Sequence, residues 1–271
     1  MGKKTYAAWK NGTQNKKAVF AVYLILRLLV IVAMVLSLLR QDYESVFVCV
    51  LVLVLFLLPS LLQRRLSIEF PSALEIIILV FIFAAEILGE LQGYFIHYAH
   101  WDTLLHCTSG FLCAAFGFSL VDLLNRNERF SIQLSPVFVA MVAFCFAMTI
   151  GVLWEFVEFG CDRLFNWDMQ KDTVLHEITT VYLDSSQTNT PIVIQGITDM
   201  SLNGESLEIG GYLDIGLYDT MEDFFVNFVG ALIFSVIGFF YTKHKGRGKF
   251  ASQFIPVVKP GPAASVHEEM S

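Results

Sequence analysis

Charge is scarce in this chain. Asp, Glu, Lys and Arg supply 16% of its 271 residues, where soluble domains carry about a quarter. An ordinary water-exposed domain is therefore a poor fit. Cysteine is sparse as well: Cys49, Cys107, Cys113, Cys145 and Cys161 form no C-x-x-C pair, and four lie well inside apolar runs. That argues against a disulfide framework or a thiolate zinc site and leaves them as small packing residues. No G-x-S-x-G, H-E-x-x-H or P-loop is present, so no motif names a reaction. The basic residues flank apolar runs instead of forming a patch, and nucleic acid is not expected as a partner.

What the chain has in quantity is hydrocarbon. Hydrophobic residues make up 55% and aromatics 14%, with 25 phenylalanines and a mean hydropathy of +0.61. A spanning helix needs about 20 largely apolar residues. Segments of that kind run over 18–39, 45–62, 72–91, 103–124, 136–159 and 222–242. The first follows a basic segment, residues 1–17. It is longer than a secretory h-region and lacks a small-residue cleavage site, so it reads as an uncleaved signal anchor. The expected fold is an all-α polytopic membrane protein: a six-helix transmembrane bundle over 18–242 with a small β-structured extracytoplasmic insertion.

Orientation follows from Lys and Arg. Lys3, Lys4, Lys10, Lys16, Lys17, Arg64, Arg65, Arg126, Arg129, Lys243, Lys245, Arg247, Lys249 and Lys259 fall on one side, against Arg40, Arg163 and Lys171 on the other. Both termini are then cytoplasmic, and the 163–221 connection is extracytoplasmic. That connection is β-branched, roughly alternating, and carries "NG" between apolar runs, which predicts a hairpin. Residues 243–271 have no helical period and three prolines, and are expected to be disordered.

The polar residues inside the spans carry the functional signal, because a charge near the bilayer centre costs about 2.5–3.5 kcal/mol on insertion scales. In "TIGVLWEFVEFGCDRLF", Glu155, Glu158 and Asp162 share one helical face by their spacing of three and four. Glu86 and Glu90 are four apart at the end of the third span. Asp102 and His106 open the fourth in the same spacing, and Asp219, Asp223 and Asn227 open the sixth, with Glu222 nearby. The expected outer-leaflet site comprises Glu86, Asp102, His106, Glu155, Glu158, Asp219, Asp223 and Asn227. Glu90 and Asp162 read as water-facing end charges, and His97 and His100 as interfacial residues beside Tyr94, Tyr98 and Trp101. Arg27 and Glu75, in the inner half, read as structural.

"WDTLLHCTSG", "LWEFVEFGCD", "WDMQK" and "LYDTMEDFFVNFVGALI" resemble the blocks of a bacterial multi-pass membrane family, the YjdF-like group. Asp223, Asn227 and Gly230, as D-x-x-x-N-x-x-G, also resemble the signature of VanZ-like proteins, a group associated with teicoplanin resistance. The resemblance covers about residues 70 to 242. It implies an envelope role in a bacterial cytoplasmic membrane and no assigned activity. In the YjdF-like pattern the M-Q-K block leads quickly into D-T-M, whereas here an insertion separates Lys171 from Gly216.

Three functions remain open on the sequence. The acidic and histidine stripes suit a divalent cation (Mg²⁺, Ca²⁺ or Mn²⁺), with Glu155, Glu158, Asp223 and His106 as metal candidates, or a cationic or lipid-linked envelope ligand. Alternatively Glu155 or Glu158 acts as general acid or base, with His106 as proton partner, in an enzyme on a lipid-linked envelope substrate. The third is a cation or proton transporter, against which stands the lack of an acidic chain continuing inward beyond Glu75 and Asp122. The bilayer is the one partner common to all three.

Overall fold

The computed structural model describes residues 16–125, 134–244, 246, 248 and 250–258. The basic segment before Lys16, and Arg126, Arg129, Lys245, Arg247, Lys249 and Lys259, lie outside them. Six helices among the described residues are long and apolar enough to cross a membrane: Lys16–Leu39, Tyr43–Arg65, Ser72–Leu91, Trp101–Asp122, Pro136–Phe165 and Leu217–Lys243. Two compact units divide the chain, one formed by 1–150 with 226–271 and the other by 151–225.

In the larger unit, α1 (Lys16–Leu39) packs against α2 (Tyr43–Leu55), and Val30, Cys49, Val52 and Phe56 are fully buried in a core that Leu79 and Ile82 of the third span also join. The second span then breaks and resumes as α3 (Leu58–Arg65), with Pro59 in its first turn. Proline has no N–H to give the preceding turn, which is why it sits at a new helix start. Strand β1 (Ile68–Glu69) leads into α4 (Ser72–Phe83), which continues as a π-helix over Ala84–Leu91. Gly93, at φ 68°, ends that turn before α5 (Tyr94–His97). Tyr94 packs edge-on to Trp101, with ring centroids 4.9 Å apart.

The second core of this unit lies among α6 (Trp101–Asn125), the start of α7 (Pro136–Phe165) and the later part of α8 (Leu217–Lys243). Small residues line it: Ala114, Ala143, Ala147 and Ala231 are wholly buried beside Phe118 and Phe234. Lipid gives apolar helices no hydrophobic reason to associate, so close backbone approach must supply the contact. Two glycines show how close. A Cβ on Gly230 would stand 1.9 Å from the Cys107 carbonyl oxygen, and one on Gly110 would stand 2.3 Å from that of Asn227.

Of the segment 243–271, expected to be disordered, residues 243, 244, 246, 248 and 250–258 are described and the rest lies outside the described residues. The sixth helix runs to Lys243, and residues 250–258 fold back as a 3-10 turn (Ala251–Gln253) followed by strand β8 (Val257–Val258). Phe254 and Ile255 enter the α6–α8 core, Phe254 edge-on to Phe111 at 5.2 Å, and β8 pairs antiparallel with β1. The prolines mark the tail as non-helical. They do not stop Phe254 and Ile255, just before Pro256, from being buried.

In the smaller unit, the connection between α7 and α8 holds three antiparallel two-stranded pairs. Strands β2 (Thr173–Leu175) and β7 (Tyr212–Asp214) close its neck. Strand β3 (Glu177–Thr180) pairs with β4 (Ile192–Gln195), and β5 (Ser201–Leu202) with β6 (Glu205–Ser206). The β5–β6 turn is Asn203-Gly204, both at positive φ (55° and 89°), as the "NG" signal predicts. The β3–β4 hairpin is turned by Asp184, whose carboxylate accepts the backbone N–H groups of Ser186, Thr188 and Thr190 at 2.9–3.0 Å.

Candidate functional site

Within the smaller unit the helices are inside-out relative to a soluble protein. On α7, Glu155 and Glu158 are 4% and 6% exposed, while Phe156 and Phe159 between and beside them are 65% and 56% exposed. Asp223 of α8 is 3% exposed and Phe225 is 66% exposed. A helix surrounded by lipid turns its apolar face outward and its carboxylates toward protein, so the three-and-four spacing becomes a buried acidic face.

These carboxylates converge. Glu155, Glu158 and Asp223 each offer an oxygen within 4.8 Å of the others. The indole of Trp154 donates from Nε1 to Glu158 Oε1 at 2.8 Å, one helical turn apart, which fixes that carboxylate's rotamer. Such a set of oxygen donors can hold a hard divalent cation. Two ligands on one ion lie no farther apart than twice the bond length, about 5 Å for Ca²⁺ and about 4 Å for Mg²⁺. Oxygens mutually within 4.8 Å come within reach of one such ion after small side-chain adjustment.

What positions α8 beside α7 here is the "WDMQK" segment between them. Asp162, near the end of α7, accepts the Met169 N–H at 2.7 Å and the Gln170 N–H at 2.9 Å. Asp219, in the first turn of α8, accepts the Lys171 N–H at 2.8 Å, and the Gln170 side-chain amide donates to the Thr220 hydroxyl at 2.7 Å. Gly216, at φ 98°, presses against Gln170, where a Cβ would meet the Gln170 Cβ at 2.6 Å. The 172–215 insertion leaves and re-enters the helices at this clamp.

The remaining candidates divide by position. Asp219 is engaged by the clamp, and Asp162 serves it too, a use that helical spacing does not reveal. Asp102 and His106 approach each other at the start of α6, Nε2 to Oδ1 3.6 Å. Asn227, 3% exposed and one turn beyond Asp223, donates to the Met148 sulfur at 3.6 Å. Glu86 lies half-buried in the π-helix, where backbone bonds reach five residues back and the four-residue spacing to Glu90 no longer superposes the two. His97 and His100 are exposed, His97 with Nδ1 2.7 Å from the Gly93 carbonyl.

Six spans, apolar surfaces turned outward and carboxylates turned inward define a polytopic integral membrane protein with a buried acidic cluster. Residues 22–244 match the family described as Predicted membrane protein (DUF2238), and the chain belongs to it. It is also similar to an uncharacterized protein of Thermotoga maritima, 24% identical over 121 residues that cover 43% of this chain and 60% of that protein. No solved structure matches.

Proposed function

We propose that Glu155, Glu158 and Asp223 bind a divalent cation and that the protein uses this centre to hold a lipid-linked or cationic envelope ligand at the outer leaflet of a bacterial cytoplasmic membrane. The observation that carries the reading is three carboxylates, each at most 6% exposed, with oxygens mutually within 4.8 Å. Like charges this close need a counter-charge or shared protons. The oxygen-only donor set favours Ca²⁺, Mg²⁺ or Mn²⁺ over soft metals. The distribution of Lys and Arg supports cytoplasmic termini, which puts the β-structured connection and the cluster toward the outside. The envelope role is what the VanZ-like elements around Asp223, Asn227 and Gly230 imply.

Thermal unfolding in detergent tests this reading. A ligand that binds only the folded state stabilises it by mass action. Protein purified without chelator is expected to melt lower after EDTA and to recover with added Ca²⁺ or Mn²⁺, whereas Glu155→Ala with Glu158→Ala is expected to respond to neither. A wild-type melting temperature indifferent to EDTA and to added divalent ions counts against a metal. Shared protons, and with them acid–base use of Glu155 or Glu158, then become the better account.

A further inference from the structure

A second polar recess lies in the larger unit, on residues that the acidic cluster does not use. The start of α1, the α2–α3 junction, β1 and the first two turns of α4 enclose a cavity of about 330 Å³. Its polar lining is Lys16, Tyr23, Ser60, Glu69, Ser72 and Glu75, with Phe20 and Leu79 among the apolar residues beside them. Lys16 opens α1 and Ser72 opens α4, while Ser60 lies toward the end of the second span. The recess therefore sits at the ends of three spans on one membrane face, at the depth of lipid headgroups and not at the midplane. Phe20, 65% exposed, continues the wall onto the lipid-facing side of α1.

From this arrangement we infer that the recess binds the headgroup of a zwitterionic phospholipid bearing a primary ammonium. The charges decide the class: one lysine faces two glutamates, a surplus of one negative charge, which disfavours a purely anionic headgroup. The ion pair of Lys16 Nζ with Glu69 Oε1, 3.2 Å, involves a lysine side chain 81% exposed. The Glu69 side chain is only 14% exposed, so its carboxylate needs a cation at all times; Lys16, at the exposed end of the pair, turns to a lipid phosphate as an ammonium takes its place on Glu69. Glu75 is held for the same purpose. The Gln63 side chain accepts the Phe70 N–H at 3.1 Å through Oε1 and also hydrogen-bonds Glu75. Two carboxylates flanked by the Ser60 and Ser72 hydroxyls offer several acceptors, which matches the three donors of a primary ammonium and leaves a quaternary one unserved. An acyl chain then runs along Phe20 and Tyr23 of α1.

The test is native mass spectrometry of the full chain released from nanodiscs containing equimolar phosphatidylethanolamine, phosphatidylcholine and phosphatidylglycerol. Wild type is expected to retain phosphatidylethanolamine roughly tenfold over each of the others, the scale of one charge-assisted hydrogen-bonded contact. Glu69→Gln with Glu75→Gln keeps the volume and is expected to abolish that preference. Equal retention of the three lipids by wild type, or a preference for phosphatidylglycerol, overturns the inference even if the double variant fails to fold. An unchanged preference in a monodisperse double variant overturns it as well.

Discussion

Single carboxylates in this protein have different uses that the residue type does not announce. Asp184 is an organiser: the Ser186 hydroxyl, then the Thr190, Ser186 and Thr188 amides, bind its anionic form and hold its carboxyl down to about 2, from 3.8. A depressed carboxylate contributes stability that is complete above the unfolded value and is lost as pH falls through the folded one. Protection of the Ser186, Thr188 and Thr190 amides, relative to their intrinsic exchange rates, is thus expected to hold at pH 5 and to fall as pH drops below about 3.8 toward about 2. Protection unchanged at pH 2 would contradict this role. Asp172 at the neck goes the other way. Partial burial first, and then the charges of Asp168, Asp214 and Asp162, raise its carboxyl above the ordinary value. A raised carboxyl weakens the fold as pH rises past the unfolded value. Asp172→Asn is therefore expected to slow exchange in the β2–β7 pair at pH 7, and faster exchange would refute the repulsion argument.

At the scale of elements, the decisive features are close approach and the clamp. Gly230 stands where any side chain collides with the α6 backbone at Cys107. Gly230→Ala is expected to destabilise by about 1–3 kcal/mol through overpacking, read as a lower melting temperature in detergent. A neutral effect would mean that α6 and α8 can separate freely. The clamp makes a milder prediction. Asp219→Ala removes the acceptor for the Lys171 N–H and is expected to cost about 1–2 kcal/mol. Exchange at Lys171 should rise while the core of α6 stays protected. Sequence spacing showed which face of each helix is polar, because a lipid-embedded helix admits few charges and each must face protein. It did not separate a carboxylate that binds backbone N–H groups from one that meets other carboxylates. Asp162 and Asp219 stand in the same stripes as Glu158 and Asp223, and only the path of the 166–171 segment distinguishes them. Nor did spacing reveal the π-helix at Ala84–Leu91, where Gly89 admits Phe95 against the backbone.

For the whole molecule, the fold class was legible because hydrocarbon content and span length are bulk properties, insensitive to any one residue. Of the β pairs in the α7–α8 connection, Asn203-Gly204 announced β5–β6 and not β2–β7 or β3–β4. The ordered tail was hidden, since burial of Phe254 depends on a partner, Phe111, far away in the chain. Phe254→Ala is expected to lose about 3 kcal/mol as a cavity opens in the α6–α8 core. A stability equal to wild type would show that the tail does not seal it.

The proposed role of the three buried carboxylates on α7 and α8 is to hold a cation. Its most direct test is elemental analysis of chelator-free protein, comparing wild type with Glu155→Ala combined with Glu158→Ala. About one divalent ion per chain is expected in the wild type, from the three-carboxylate cluster and the coordination needs of such ions, and little in the variant. A metal-free wild type that stays metal-free after dialysis against Ca²⁺, Mg²⁺ and Mn²⁺ would contradict it.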